Sequence, residues 1–145
     1  ETKQQEVALA FLLAIETAMR AGEILSLTRS QVNLHKRYCT LIDTKNGDSR
    51  DVPLSKEAVR LLEKCSGEPR LFTVQGESMS VLFRKARIRA GILDLTFHDS
   101  RHEAITRLAR KLDILDLARM VGHRDLSSLQ IYYNATASEI ASRLD

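Results

Sequence analysis

A tyrosine close to the end of this 145-residue chain, Tyr132, lies nine residues after His123 and downstream of the run His98-Asp99-Ser100-Arg101-His102. A second arginine, Arg20, comes early and is followed three residues later by Glu23, and a lysine, Lys45, lies between the two arginine segments. These residue types can carry out phosphoryl chemistry. A phosphodiester resists attack because its oxygens are negative and its leaving alkoxide is poor. A site without metal must supply positive charge to the non-bridging oxygens, an in-line nucleophile and a proton for the leaving group. Arginine suits the first task, because its planar fork binds phosphate bidentately and stays charged. Tyrosine can be the nucleophile, but its hydroxyl ionises only near pH 10, so cationic neighbours that stabilise phenolate are needed. His98 and Arg101 are three apart at the start of an expected helix. Both then project from one face, where free backbone N–H groups favour the same anion.

Each of these residues has a plainer use. Arg20 can be a helix-end charge and Glu23 its i,i+3 partner. Lys45 can be a solvated hairpin lysine. His98 can cap a helix, Arg101 can be a surface charge, His102 can pack on its helix, and His123 can follow a glycine cap. Tyr132 and Tyr133 can be two boundary aromatics, one in and one out. Read together the set is more telling, since a given residue type occurs at a given position only roughly one time in twenty. A one-residue step on a helix turns a side chain by about 100°, so only one of Tyr132 and Tyr133 can face the site.

The elements that must position these groups are mostly helical. Residues 3–20 are apolar nearly all round, which predicts a central, buried helix broken at Gly22 and followed by a short helix over 23–27. Residues 38–45 and 50–54 flank Asn46-Gly47, which predicts a hairpin with a type I′ turn, and Pro53 suits a strand end. Ser55 opens a helix over 55–65. Another helix is expected over 78–90, with Val81, Leu82, Ala86 and Ile88 inward. The helix over about 96–111 has two overlapping capping boxes, Thr96-x-x-Asp99 and Ser100-x-x-Glu103, so its start is ambiguous. A short helix over 113–121 closes at Gly122. Ser127-x-x-Gln130 places Tyr132 in the second turn of a further helix. Thr136-x-x-Glu139 opens a last one, with Ala137, Ile140, Ala141 and Leu144 on one face. The expected fold class is mainly α with a small antiparallel β-hairpin or sheet.

Composition sets wide bounds. One domain is expected at this length, with a core of Leu, Ile, Val and Ala, because Trp is absent and aromatics are 5%. Lys and Arg number 22 against 19 Asp and Glu, giving +3, which is compatible with a polyanionic partner. Cys39 and Cys65 form no C-x-x-C pair, and reduced thiols in a cytosolic protein are expected. The longest apolar run, Val7 to Ile15, is too short to cross a bilayer, and no basic n-region precedes an apolar stretch. No Gly-rich phosphate loop and no carboxylate cluster for Mg²⁺ is visible, so no metal site and no cofactor is expected.

The motifs resemble those of the catalytic domain of tyrosine recombinases, the phage integrase family. Met19-Arg20-Ala-Gly-Glu23-Ile-Leu-Ser-Leu27 is similar to the family's first arginine motif. Thr44-Lys45, leading to Arg50-Asp-Val-Pro-Leu54, resembles its lysine segment. Leu95-Thr-Phe-His98-Asp-Ser-Arg101-His102 resembles H-x-x-R-H, and Met120-Val-Gly-His123 with Tyr132 resembles the G-H segment and the nucleophile. Phe97 and Val121 stand where Pro and Leu are frequent. The resemblance implies catalytic roles for Arg20, Lys45 (general acid), His98, Arg101, His123 and Tyr132, with Glu23 in support. It implies a site-specific recombinase or integrase that cleaves and rejoins double-stranded DNA through a 3′-phosphotyrosyl intermediate. Such an enzyme needs no metal, works as a homotetramer on DNA with the free fragment a monomer, and resides in the bacterial cytoplasm, nucleoid-associated when active. Residues 1–145 would be its single catalytic domain, with the N-terminal DNA-binding domain outside this chain. A type IB topoisomerase-like enzyme shares the chemistry, and an inactive DNA-binding prophage remnant would share the sequence. Arg84, Lys85, Arg87 and Arg89, with Arg107, Arg110 and Lys111, are candidate phosphate-backbone contacts, which position a duplex without reading its sequence.

Overall fold

The computed structural model describes residues 2–43, 48–122 and 126–145. In chain order these form helices α1 (Lys3–Thr17), α2 (Ala21–Leu25), α3 (Lys56–Glu63), α4 (Gly76–Arg89), α5 (Asp99–Leu108), α6 (Ile114–Val121) and α7 (Ala137–Ser142). Strands β1 (Val32–Asn33), β2 (Tyr38–Asp43) and β3 (Asp48–Pro53) lie between α2 and α3, and 3₁₀ segments cover Arg29–Gln31 and Leu126–Tyr132. The two expected hairpin strands are present, and so are the expected helices except the one around Tyr132, which is a 3₁₀ segment; β1 was not foreseen.

Helix α1 packs against α2, α3, α4 and α5, as its apolar composition requires. Its exposed edge is marked by Leu12, which is 48% exposed, so the burial is not all round. Thr2 starts it: the Thr2 hydroxyl accepts the Gln5 N–H at 3.2 Å, and Gln5 Oε1 accepts the Thr2 N–H at 3.0 Å. The expected break at Gly22 falls elsewhere. Ala18 ends the helix in the left-handed region (φ 62°), and Gly22 sits inside α2. A non-glycine residue holds that conformation only when its surroundings fix it. Ala18 is fully buried, and its carbonyl is taken by Arg101.

The sheet is antiparallel in the order β1-β2-β3. Cys39 pairs with Val52 and Leu41 with Arg50. Strand alternation therefore turns Arg50 to the same face as the buried Cys39, Leu41 and Val52. Burial pushes the Cys39 thiol up to about 12. On the other face the Thr40 hydroxyl donates to Asp51 Oδ1 at 2.7 Å. The register pairs Asp43 with Asp48. The expected Asn46-Gly47 turn and Lys45 lie outside the described residues, as does His123.

Caps decide most helix starts. The Ser55 hydroxyl accepts the Ala58 N–H at 3.0 Å, and Asp113 Oδ1 accepts the Asp116 N–H at 2.8 Å. Of the two boxes proposed near α5, Thr96/Asp99 forms: Asp99 Oδ2 accepts the Thr96 N–H at 2.8 Å and the Thr96 hydroxyl accepts the Asp99 N–H at 3.3 Å. Ser100 is buried within the helix instead. In α4 the inward set differs from the expectation. Met79, Leu82 and Phe83 pack on the core, whereas Val81, Ala86 and Ile88 are exposed. An aromatic cluster selects that face: the Phe11, Phe83 and Phe97 rings meet pairwise at 5.2–5.6 Å, mostly edge-on. Phe97 thus pins the residue before His98 against α1 and α4.

Two groups of buried side chains result. The larger gathers α1, α2, the sheet, α3 and Met79 of α4. The smaller joins Ala18 to Ala104 and Ile105 of α5, Leu117, Ala118 and Val121 of α6, and Leu129 of the second 3₁₀ segment. The second 3₁₀ segment is a correction to the helix expected there. With about three residues per turn, Leu129 and Tyr132 share a face. Leu129 is completely buried, Tyr132 packs on the same cluster, and Tyr133 is 48% exposed.

A buried carboxylate ties the start of α1 to residues 73–74. Glu6 Oε1 accepts the Thr73 and Val74 N–H groups at 2.7 and 3.0 Å, and Oε2 accepts the Thr73 hydroxyl at 2.5 Å. Glu6→Ala should lower unfolding stability in urea by about 2–3 kcal/mol, the cost of stranding buried donors, and Glu6→Gln by less. An alanine variant within about 0.5 kcal/mol of wild type, the usual range for a surface change, would show that water replaces the carboxylate freely.

Candidate active site at the ends of α1, α5 and α6

Arg101 is the most buried of the candidate residues, at 5% exposure. It lies in the first turn of α5 and reaches between two helix ends. Its Nη1 donates to the carbonyl of Ala18, which closes α1, and its Nη2 donates to the carbonyl of Val121, the last residue of α6, at 2.9 Å. Carbonyls at helix C-termini lack intrahelical partners and carry the negative end of the helix dipole, so they suit a guanidinium. Burial pushes Arg101 down to about 10. Repulsion from Arg20 and Arg50 adds to this, while Glu23 and Tyr132 oppose it. The side chain stays cationic at neutral pH.

Arg20 sits at the N-cap of α2 with its side chain half exposed. Its backbone N–H donates to Glu23 Oε1 at 2.9 Å, and its Nη1 lies 3.7 Å from Glu23 Oε2. Glu23 does more than the i,i+3 pairing expected for it. Arg50, from β3, engages it bidentately: Nη1 donates to Oε2 at 2.9 Å and Nη2 to Oε1 at 3.1 Å. Burial works against the Glu23 charge, but the Arg50 hydrogen bonds, the Arg20 N–H and both positive charges hold its carboxyl below the usual range. Arg50 Nε also donates to the Met120 carbonyl at 3.2 Å. The end of α6 is thus gripped twice, by Arg50 at Met120 and by Arg101 at Val121.

His98 occupies the N-cap position of α5 and is exposed. The next residue but three, His102, is also exposed and meets the tyrosine: the Tyr132 hydroxyl lies 2.8 Å from His102 Nδ1, with ring centroids 5.4 Å apart. Arg101, Tyr132, Arg20 and Glu23 therefore come together at one place from three separate segments, with His98 on the turn that precedes Arg101. Lys45 and His123 lie outside the described residues, and His123 directly follows Gly122 (φ +77°), the left-handed cap of α6.

Sequence reasoning missed two contributors. Arg50 was read only as part of a motif's tail; the signal that could have found it was its inward register opposite Leu41. His102 was read as a packing residue, although its adjacency to Arg101 on α5 puts it one step around the helix from the guanidinium. Beside the site a cleft of about 460 Å³ is bounded by Ala21 and Gly22 of α2, by Phe97 and by Arg84 and Arg87 of α4. Among the basic residues of α4, Arg87 is committed elsewhere, since its Nη1 donates to the Leu93 carbonyl at 2.5 Å. Arg84, Lys85 and Arg89 are exposed. Among the described residues no group of three or more His, Cys, Asp or Glu side chains is arranged to hold a metal ion, and no helix is long and apolar enough to cross a membrane.

This arrangement can bind a phosphate dianion edge with guanidinium groups and present a phenol to it. The comparisons with known proteins agree with that chemistry. The family model described as "Phage integrase family" matches residues 1–139. A Haemophilus influenzae protein with an integrase/recombinase name is 44% identical over 150 aligned positions, covering 100% of this chain and 49% of that protein. The shufflon-specific DNA recombinase of Escherichia coli is 40% identical, covering 93% of this chain and 36% of that one. This chain thus spans half or less of the length of these relatives. Among solved structures, the catalytic domain of bacteriophage HP1 integrase superposes with a TM-score of 0.71 at 27% identity, covering 94% of this chain and 79% of that chain. A lambda integrase dimer bound to a COC′ core site gives 0.74 at 20% identity over 89% of this chain, a likeness of fold. With its fold, its motifs and this match over nearly its whole length, the chain belongs to the phage integrase family of tyrosine recombinases.

Proposed function

We propose that this chain is the catalytic domain of a DNA site-specific recombinase and that Tyr132 is its nucleophile. The observation that carries the reading is the meeting of the Tyr132 hydroxyl with the first turn of α5, beside the buried guanidinium of Arg101 and within the field of Arg20. In the proposed reaction the Tyr132 oxygen attacks a backbone phosphorus of duplex DNA. A phosphotyrosyl bond forms at the 3′ side as the bond to the 5′ oxygen breaks, and the leaving oxygen takes up a proton. A 5′-hydroxyl from another strand then reverses the step and frees the tyrosine. Bond energy is conserved, so rejoining needs no nucleotide. Arg20 and Arg101 neutralise the phosphate oxygens, and Glu23 orients Arg20. His98, His123 and Lys45 are proposed to serve the oxygens and the leaving group, on the strength of their motifs. Arg84, Lys85 and Arg89 are proposed to contact the DNA backbone from the rim of the adjoining cleft. The relatives bear integrase and recombinase names, which favours strand exchange over simple relaxation.

Tyr132→Phe should abolish covalent adduct on a nicked suicide duplex while leaving DNA affinity within about threefold, a change of well under 1 kcal/mol. Tyr133→Phe should still form adduct, because its side chain points away from the cluster. Adduct formation by the Tyr132→Phe protein would refute the assignment.

Arg101→Lys should slow adduct formation on the same duplex by a factor of order 10² or more, the size seen when one preorganised donor to developing charge is lost. Lysine presents one point charge and cannot span two helix ends while facing a phosphate. Near wild-type single-turnover rates in this variant would rule out a forked contact.

We further propose that the protein acts as a homotetramer on DNA, with α7 docking on a neighbouring protomer. Helix α7 has no buried residue, Ile140 is 38% exposed and Leu144 81%, and so short a helix is marginal alone. Ile140→Asp with Leu144→Asp should lower recombination by about tenfold or more, equivalent to roughly 1.4 kcal/mol of lost assembly energy, with single-site DNA binding unchanged in gel shifts. Normal recombination by the double variant would make the tail a passive end.

A further inference from the structure

We propose that Arg50 is a positioning residue of this strand-transfer site: it locks the Glu23 carboxylate to the C-terminal end of α6 and thereby sets the Gly122 cap of that helix against Arg20. The inference rests on the recombinase reading above and adds to it a residue that holds the machinery without touching DNA. Each of the three guanidinium nitrogens of Arg50 already donates within the protein, two to Glu23 and one to the Met120 carbonyl. Its side chain is 20% exposed and that of Glu23 23%. The geometry leaves little slack. A Cβ built on Gly122 would stand 2.9 Å from both Cζ and Nη1 of Arg50, so the glycine is required twice, for its positive φ and for the closeness of the arginine. Strand register supplies the other constraint, because Arg50 faces inward only while it stays opposite Leu41.

An ordinary structural ion pair would show the same distances, so what distinguishes the proposal is where the link ends. Glu23 passes it to the Arg20 backbone N–H at 2.9 Å, one residue's own side chain away from the proposed phosphate clamp. At the other end Met120 lies in the last turn of α6, two residues before its Gly122 cap. Loosening Arg50 therefore misaligns two sides of the site at once, and a misplacement of about 1 Å can reduce a rate by about 10²-fold.

The test uses the intact recombinase and single-turnover adduct formation on a nicked suicide duplex, with DNA affinity, melting temperature and the pH dependence of the rate measured alongside. For Arg50→Met we expect adduct formation slowed by about 10–100-fold at saturating DNA, with affinity within about threefold. The acid limb of the pH–rate profile should move to higher pH, because Glu23 loses the partner that keeps it ionised. The sign is fixed: Glu23 is held below its ordinary range in the folded protein, so its function persists above that range and fails as pH falls, and removing Arg50 makes it fail sooner. Glu23→Gln with Arg50→Met should be no slower than the slower single variant, since both break one link. If Arg50→Met does not fold, Gly122→Ala tests the same link by displacing the guanidinium without removing a charge, and should slow the reaction comparably. A wild-type rate in either variant overturns the proposal. So does a slowed Arg50→Met whose loss equals its unfolded fraction with the pH profile unmoved. A wild-type protein that forms no adduct overturns the recombinase reading itself, which separates that failure from failure of the Arg50 proposal.

Discussion

A buried positive charge organises this molecule. Arg101 has almost no contact with solvent, yet it is anchored by the carbonyls that end α1 and α6. Hydrogen bonds to a charged group contribute about 1.5–3 kcal/mol each, and a buried charge stripped of its partners costs more than that. The arrangement therefore works as a mutual constraint. The helix ends need a donor, the guanidinium needs acceptors, and both are satisfied only when α1, α5 and α6 meet in one geometry. Ala18 bears part of the strain, in a left-handed conformation that alanine adopts only under such compulsion. Among the described residues Arg20, Arg50 and Arg101 lie around one carboxylate, Glu23. An anion entering there would relieve the repulsion among the guanidinium groups.

The sheet serves this constraint from the opposite side. Beside the buried Cys39, Leu41 and Val52 on one face, Arg50 crosses from β3 to Glu23 and to the end of α6. A helix C-terminus that offers Met120 and Val121 carbonyls to two arginines from different elements cannot tilt without breaking one of the two contacts. The Gly122 cap that ends α6 is thus held by β3 and α5 together. Residues far apart in sequence are thus fixed against one another in a small domain by hydrogen bonds and packing. Cys39 and Cys65 are both buried.

How legible this was depends on how local each cause is. Caps are local, and Ser55, Asp113, Thr136 and the Thr96/Asp99 box could be read from the sequence because the donor and acceptor are three residues apart. The placing of His98 and Arg101 at the start of one helix was equally local, whereas the choice of Tyr132 rested on the resemblance. The end of α1 was not. Gly22 is the residue that local propensity would choose as the breaker, but the chain turns at Ala18 because Arg101, more than eighty residues away, takes its carbonyl. The inward face of α4 was misread because Val81 and Ile88 are the more hydrophobic choices, whereas the three-phenylalanine cluster with Phe11 and Phe97 selects Phe83. Arg50 escaped notice because a charged residue on a short strand reads as an outward position until the register opposite Leu41 is known.

The contrast between the proposed clamp and the support of the proposed nucleophile is itself informative. Arg101 and Glu23 sit in a network tied to α1, α5, α6 and β3. Tyr132 instead ends a 3₁₀ segment, whose hydrogen bonds are less favourable than those of an α-helix, and one fully buried residue, Leu129, anchors that segment. Beyond it Ile131 is 78% exposed, Tyr133 is half exposed and α7 buries nothing. Segments with few buried apolar contacts are the first to open in a native protein. A phosphate clamp gains from rigidity, because its donors must wait in place for charge that develops later. A nucleophile that must attack, stay covalently bound while strands exchange, and then withdraw gains from a support that can move at little energetic cost. The contact of the Tyr132 hydroxyl with His102 Nδ1 gives that weak segment one specific resting position on α5. The contact with His102 and the buried Leu129 thus localise the tyrosine beside Arg101, on a segment whose later residues are largely exposed.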